Sequence, residues 1–593
     1  REVRMPILNS TLIIVACFLP LFFLSGMEGR MLIPLGIAFI VALFASTVVA
    51  LTLTPVLCSY MLTTKRALKQ NEKEPFVSRT LKVWYKKALE WALRYKKIVI
   101  GTSAALLIFT IVIMTGLGRS FLPPFNEGSL TINISTMPGV SLEESDNMGR
   151  MAEEILLDIP EIQTVARKTG RAELDEHALG VNVSEMEAPF ELDKRSRDEF
   201  LADVRQRLGE LKGVNIEIGQ PISHRIDAML SGTKANIAIK LFGNDLNKLY
   251  NIGGQIKEAI QGIDGIADLT LEQQIERPQL QIKPKRDMLA KYGIPLPKFS
   301  EFINVALSGK VVSQVYEGGK VFDLTVKVHD DDKANMEQIG NLMIDANGQK
   351  VPLHYVAEIL PLVGPNTISR ENVQRKIVVS ANVAGRDLNG VVKDIQKTVG
   401  EQITLPEGYH VEYGGQFESE QAASRTLFLT SVISILLIFL LLFNEFHSMP
   451  LSGIIMLNLP LAIIGGVLSI WFTSGIISIP AIIGFISLFG IATRNGMLLI
   501  SHYNHLQKEE GLNVYDSVMQ GSLDRLNPIL MTALSSALAL IPLALGGDLP
   551  GNEIQSPMAK VILGGLLTST FLNGFIVPIV YLMMHRKKAS ASL

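Results

Sequence analysis

Apolar residues in this chain gather into runs of about 20, the length an α-helix needs to cross the hydrocarbon core of a bilayer. Such runs fall near 7–26, 31–61, 97–117, 424–443, 449–473, 476–502, 526–546 and 557–584, and they predict eight spans. Pro20, Pro55, Pro460, Pro480, Pro542 and Pro578 are expected to kink or punctuate them. Between the third and fourth spans, roughly 118–423, the pattern changes. Leu130, Ile132 and Ile134 alternate with Thr131, Asn133 and Ser135, which predicts a strand, and helical period takes over after the capping-box pair Ser141 and Glu144. That helix stops at Pro160. An extended stretch 161–169, a further strand, a second capping box from Ser196 to Glu199 leading into Phe200, Leu201, Val204 and Leu208, and a strand at 214–219 complete a β-α-β-β-α-β run.

A second copy opens with a strand at Ile237, Ile239 and Leu241, a helix carrying Leu246, Leu249, Ile256 and Ile260, and a strand near 266–271. Its other half, strand 376–383, helix 388–402 and strand 409–415, lies about 100 residues downstream. The fold class is therefore an α-helical polytopic membrane bundle plus an α+β region of two ferredoxin-like (βαββαβ) modules, the second split by an insertion. The domains predicted are membrane spans over 1–117 with a surface helix at 76–96, a first module over 118–233, the halves of the second over 234–284 and 373–423, the insertion over 285–372, and further spans over 424–593.

Composition agrees with a membrane protein: 48% of the 593 residues are hydrophobic, 19% are charged, and mean hydropathy is +0.29. A formal net charge of −2 gives no polyelectrolyte signature, so nucleic acid is not an expected partner. Cys17 and Cys58 both lie in apolar runs, so the polar block has no disulfide framework. Residues 62–97 hold 11 Lys and Arg against three Glu, and Arg586, Lys587 and Lys588 lie near the C-terminus; by the positive-inside rule both regions are cytoplasmic, which places the polar block on the opposite face. Val77, Leu81, Trp84, Ala88, Trp91 and Tyr95 recur every three or four residues among lysines, as in a helix lying along the inner membrane surface; a soluble helix packed on the bundle is the alternative. The chain starts at Arg1 with no signal peptide and enters an apolar span almost at once, so it reads as a piece whose beginning is missing.

Four segments carry a more specific resemblance: Phe121-Leu-Pro-Pro-Phe-Asn-Glu-Gly128, Thr52-Leu-Thr-Pro-Val-Leu-Cys58, Gly490-Ile-Ala-Thr-Arg-Asn-Gly496 and Asn527-Pro-Ile-Leu-Met-Thr532. Together they resemble the permease of the resistance-nodulation-division (RND) efflux family, from its span five of twelve to its C-terminus. The resemblance implies a proton-driven antiporter, a secondary transporter and not an enzyme. It would be a homotrimer in the inner (plasma) membrane of a Gram-negative bacterium, in contact with membrane lipid and coupled to a periplasmic adaptor protein and an outer-membrane channel. It implies no bound cofactor, only a transported metal cation with protons as the coupling ion. The modules would be porter subdomains and the insertion part of a docking funnel. Phe121 to Leu130, Lys168-Thr-Gly-Arg-Ala-Glu173 and Gly414-Gly-Gln-Phe-Glu418 are more similar to the heavy-metal (cobalt-zinc-cadmium-like) branch than to the drug branch.

Arg494 sits mid-span, where a charge is expensive and normally faces a carboxylate or the bundle interior. The resemblance makes it a proton-relay residue opposed by acids on a span upstream of this chain; a fixed ion pair holding the bundle together is the alternative. Asn495, Arg525 and Thr532 fall on matching relay positions, with interfacial anchoring open for Arg525 and backbone hydrogen bonding for Thr532. Candidate metal-binding acids are Asp227 and Glu272, with Glu127 at the membrane edge, each of them also readable as a structural carboxylate. Copper- and silver-exporting relatives place methionines in the cleft where this chain has Asn133 and Ala228, which points to borderline divalent ions. The nine histidines form no HExxH motif, and both Gly-Lys dipeptides are followed by Val, so no Walker A sequence exists for an ATP-driven pump. Drug efflux and an accessory role in protein export are the competing readings.

Overall fold

The structure, a computed structural model, describes residues 4–61, 75–122, 125–137, 139–170, 180–192, 195–231, 235–272, 276–365, 368–547, 549 and 551–591. Among these, seven helices are long and apolar enough to cross a membrane: Gly26–Met61, Lys96–Gly116, Gln416–Phe446, Met449–Phe472, Ile479–Lys508, Val514–Leu545 and Gln555–His585. The eighth expected span is a shorter apolar helix, Leu8–Phe23. It tightens to a 3-10 turn at Leu19, where Pro20 has no N–H to continue the α ladder, and ends before Gly26 at φ +69°. Met449–Phe472 is broken after Met456, because Pro460 cannot donate to the Met456 carbonyl.

One boundary changes the reading of a candidate residue. Hydropathy starts a span at 526, but the helix starts at Val514, capped by Asn513, whose side-chain oxygen accepts from the Asp516 N–H at 2.8 Å. Arg525 therefore lies about three turns into a helix that begins before the apolar run.

The helices Asn458–Phe472, Ile479–Lys508 and Gln555–Ala591 form the interior of the bundle. Two of them touch backbone to backbone: a Cβ on Gly465 would lie 2.0 Å from the Gly564 carbonyl oxygen, so only glycine permits this approach. Outside them, Lys96–Gly116 and Val514–Leu545 present largely uncovered apolar faces. The helix Phe76–Arg94 lies against the bundle through Leu89 and Ala92, with the Tyr85 hydroxyl donating to the Gly574 carbonyl at 2.5 Å and Ser78 accepting from Asn527 Nδ2 at 2.6 Å.

Two antiparallel sheets follow, the first of four strands and the second of five, its fifth the short Arg370–Glu371 beside Gln374–Val383. The first runs Ala166–Thr169, Val183–Pro189, Ser129–Thr136, Val214–Gly219 in spatial order, with Leu130, Ile132 and Ile134 packed against Phe200, Val204 and Leu208 of a helix on one face. The Ser196 box is complete: Glu199 N–H donates to Ser196 Oγ at 3.3 Å and Ser196 N–H to Glu199 Oε2 at 2.9 Å. In the second, Ile266–Leu271, Gln374–Val383, Ile237–Phe242 and His410–Gly415 repeat that order, with Ile239, Leu241, Ile256, Val392 and Ile395 in its core.

The stretch between Leu271 and Gln374 has its own small core around Leu289, Phe299, Ile344 and Leu353, and sends out a two-stranded ribbon, Lys310–Glu317 with Lys320–Val326, exposed at every position. Gly118–Ser120 pairs in parallel with Ile476–Ser478, which ties the start of the first module to the N-terminal end of the Arg494 helix.

That helix, Ile479–Lys508, is 30 residues long, so Lys508 lies about 45 Å from the module end. In a Cys58→Ser background, a thiol at Asp331→Cys is expected to react with an impermeant reagent applied from the module side, and one at Lys508→Cys is not. Reversed labelling in intact cells would overturn the orientation.

Candidate functional site

Four helices bound a cavity of about 580 Å³ inside the membrane bundle. Arg494, Asn495, Arg525 and Thr532, taken from two helices, all line it. Their convergence follows from helical spacing: Arg525 and Thr532 are seven residues apart, nearly two turns, and share a face. Ser10 and Thr11 from the short first helix, and Ser46 and Thr47 from Gly26–Met61, supply hydroxyls on the far side, with Thr11 and Thr47 Oγ1 atoms 2.9 Å apart.

The cavity is electrostatically incomplete. Among the described residues Arg494 makes no ion pair or hydrogen bond, and the buried Arg525 Nε and Asn495 Nδ2 atoms have no partner. Asp524, beside Arg525 in sequence, faces His502 at 3.4 Å, and Glu445 accepts from Asn9. The Thr532 hydroxyl donates to the Pro528 carbonyl at 2.8 Å, the backbone bond expected of an intramembrane threonine.

The second candidate region lies between the modules. Strand Ser129–Thr136 turns Ile132 and Ile134 to the core and Asn133 to the opposite face, where register places Glu185 and Glu217 on either side of it. Glu185 pairs with Lys168 at 2.7 Å, Glu217 accepts from Thr270 Oγ1 of the second module at 3.0 Å, and Asn133 Nδ2 meets His224 Nδ1 at 3.4 Å. The His224 ring lies on Gly219, where a Cβ would come within 2.1 Å of it. Arg205 donates to both Asp268 oxygens at 3.1 and 3.2 Å, and Asn382 Nδ2 to Asp268 Oδ2 at 2.9 Å, beside a gap of about 270 Å³ between the modules.

The acids chosen from the sequence are not brought together. Glu127 caps the helix Pro221–Ser231, accepting from Ile222 N–H at 2.6 Å and Ser223 N–H at 3.1 Å. Glu272 accepts from Ser369 Oγ and, at 3.1 Å, from Val378 N–H. Asp227 belongs to the helix Pro221–Ser231, between two strands; its side chain, like Ala228's, lies outside what the structure describes. No group of three or more His, Cys, Asp or Glu among the described residues is placed to hold a metal ion. Glu185, Glu217 and His224, and the hydroxyls of Ser10, Thr11 and Thr47, were not singled out from the sequence; strand alternation would have put Glu185 and Glu217 on the outer face, but not beside Asn133.

The profile of the AcrB/AcrD/AcrF family matches residues 1–585. The chain belongs to this family. It is 32% identical over 604 residues to the cobalt-zinc-cadmium resistance protein CzcA of Cupriavidus metallidurans, covering 100% of this chain and 56% of that protein. Against the nickel and cobalt resistance protein CnrA of the same organism it is 30% identical over 98% of this chain and 54% of CnrA. A crystal structure of a heavy metal efflux pump superposes with a TM-score of 0.82 at 27% identity, covering 98% of this chain and 58% of that one. This AcrB/AcrD/AcrF chain thus spans just over half the length of the relatives it matches.

If Arg494 is a desolvated cation without a counter-charge in this chain, Arg494→Met should leave the thermal unfolding midpoint of the detergent-solubilised 593-residue chain unchanged or raise it. A drop equivalent to about 3–5 kcal/mol would instead identify a buried pair that the substitution breaks.

Proposed function

We propose that the chain is part of a proton-driven RND permease, of the heavy-metal branch, that exports divalent metal cations across the inner membrane of a Gram-negative bacterium. It is a secondary transporter and not an enzyme. The observation that carries this reading is the cavity in which Arg494 has no carboxylate partner among the described residues and Arg525 has only its neighbour Asp524, which also faces His502. A guanidinium remains protonated throughout any working cycle, so it cannot itself carry the coupling proton. Carboxylates can, and in this reading they come from the part of the relatives' length that the chain does not cover. Protonating such acids releases Arg494, whose charge then turns to another partner, and the surrounding helices move with it. Asn495 and the cavity hydroxyls offer intermediate hydrogen-bond partners during the exchange.

The cargo follows from donor chemistry. The face around Asn133 presents carboxylate, amide and imidazole from Glu185, Glu217, Asn133 and His224, without methionine or cysteine on these positions. Such donors suit zinc, cobalt, nickel or cadmium better than copper(I) or silver(I). The similarity to CzcA, a cobalt-zinc-cadmium resistance protein, and to CnrA, a nickel and cobalt resistance protein, points the same way. A drug pathway calls for an apolar, aromatic-rich cleft, which this polar face does not supply.

In this reading the two sheets with their helices are ferredoxin-like porter modules, and the stretch between Leu271 and Gln374 is a docking element for a periplasmic adaptor and an outer-membrane channel. Assembly as a homotrimer gives the exposed ribbon a partner. Val311, Val315, Tyr316, Phe322 and Leu324 are about half exposed or more on an isolated two-stranded sheet, which is marginal in water without cover.

A susceptibility panel tests the cargo. In a strain lacking its own exporters, the complete permease should protect against zinc, cobalt, nickel or cadmium, and Glu217→Gln, Asp227→Ala or Glu272→Ala at equal expression should reduce that protection. Protection against copper or silver alone would refute the selectivity, and protection only against dyes and bile salts would favour drug efflux. Unchanged divalent resistance in all three variants would remove these acids from the path.

A further inference from the structure

The helix Phe76–Arg94 has three faces where a docked soluble helix needs two. At about 100° per residue, the stripe Ser78, Tyr85, Leu89 and Ala92 lies on one side and is held by the bundle. About a quarter turn away runs Val77, Trp84, Trp91 and Tyr95, uncovered: Trp84 is 72% and Trp91 55% exposed. The remaining arc carries Arg79, Lys86, Lys87 and Arg94 with a single acid, Glu90, among them, all exposed; among the described residues none of the four bases forms an ion pair, and Arg94 lies 5.9 Å from the centre of the Tyr95 ring. Tyr95 joins this helix directly to the span Lys96–Gly116, which fixes it at the membrane surface.

Indole rings beside a net-basic row of exposed guanidinium and ammonium groups, at the start of a span, match the chemistry of one occupant. The rings lie at the boundary of acyl chains and headgroups, and the basic groups reach the phosphates. We propose that this helix forms a binding surface for anionic phospholipid of the adjacent leaflet, with the aromatic stripe against the acyl chains and Arg79, Lys86, Lys87 and Arg94 on the headgroups. Docking through Tyr85 and Ser78 holds the two outer faces at a fixed angle to the bundle, so the lipid contact belongs to the folded chain and needs no partner protein.

The chain has three tryptophans, and Trp471→Phe leaves only the two on this helix. Reconstituted into vesicles of phosphatidylcholine with brominated acyl chains, that variant should show quenched fluorescence. In mixtures with brominated phosphatidylglycerol, quenching should report a preference for the anionic lipid on the order of fivefold, the effect of about one basic contact near an anionic surface. Replacing Arg79, Lys86, Lys87 and Arg94 by Gln should bring that preference close to one while quenching by brominated phosphatidylcholine persists, which also shows that the helix is still in place. Absence of quenching by either lipid would mean that protein covers the aromatic face, and equal quenching by both in the parent would mean that the basic face selects nothing; either result overturns the proposal.

Discussion

A guanidinium held in the middle of an apolar helix with no anion beside it among the described residues is the constraint on which this structure turns. Arg494 sits in the middle of a 30-residue helix. That helix is fixed by close packing on every side but one: its neighbours include the Gly465 to Gly564 contact, the Tyr503 ring buried beside Tyr581, and the short helix Leu8–Phe23. The side left open is the cavity with Arg525, and there the polar groups outnumber their partners. A fully packed bundle would bury these charges at a cost of several kcal/mol each, which a resting structure cannot sustain without opposing carboxylates. In the proposed cycle the open side is where charge is supplied or withdrawn.

A charged junction links the bundle to the first module. Glu553, buried in the link between the last two spans, accepts from Asn126 N–H at 3.0 Å, and the next residue, Glu127, caps the helix bearing His224. Burial works against the charge on Arg197 beside them and pushes its pKa down, while Asp198, Glu127 and Glu553 act to restore it. Two consecutive residues thus hold one contact to the membrane bundle and one to the helix behind Asn133.

Much of the module architecture was legible because its signals are local. The switch from period two to period 3.6 after Ser141, and the reciprocal box at Ser196 and Glu199, sit within a few residues of the features they specify. Span ends were less legible, since a hydropathy window sees neither the Asn513 cap nor the break imposed by Pro460. The helix holding Asp227 was missed for a different reason: its N-terminus is capped by Glu127, 95 residues earlier than Ile222, and no local pattern announces a cap from that distance. Likewise the gathering of Glu185 and Glu217 around Asn133 is a property of strand register, which alternation alone leaves free. Arg494 was legible because a charge in an apolar run is conspicuous, and the family resemblance added Asn495, Arg525 and Thr532, which line the same cavity; the hydroxyls opposite them come from helices whose own patterns are simply apolar.

The central claim is that the Arg494 cavity couples proton movement to cation movement, and it is tested most directly by following both in one experiment. Proteoliposomes containing the complete permease and an entrapped pH indicator receive zinc on the side that exposes the modules, and zinc and proton fluxes are recorded together. The account predicts opposite fluxes in fixed proportion for the parent protein and loss of both in Arg494→Ala, with zinc binding to the modules retained. Coupled fluxes of undiminished size in Arg494→Ala would contradict it.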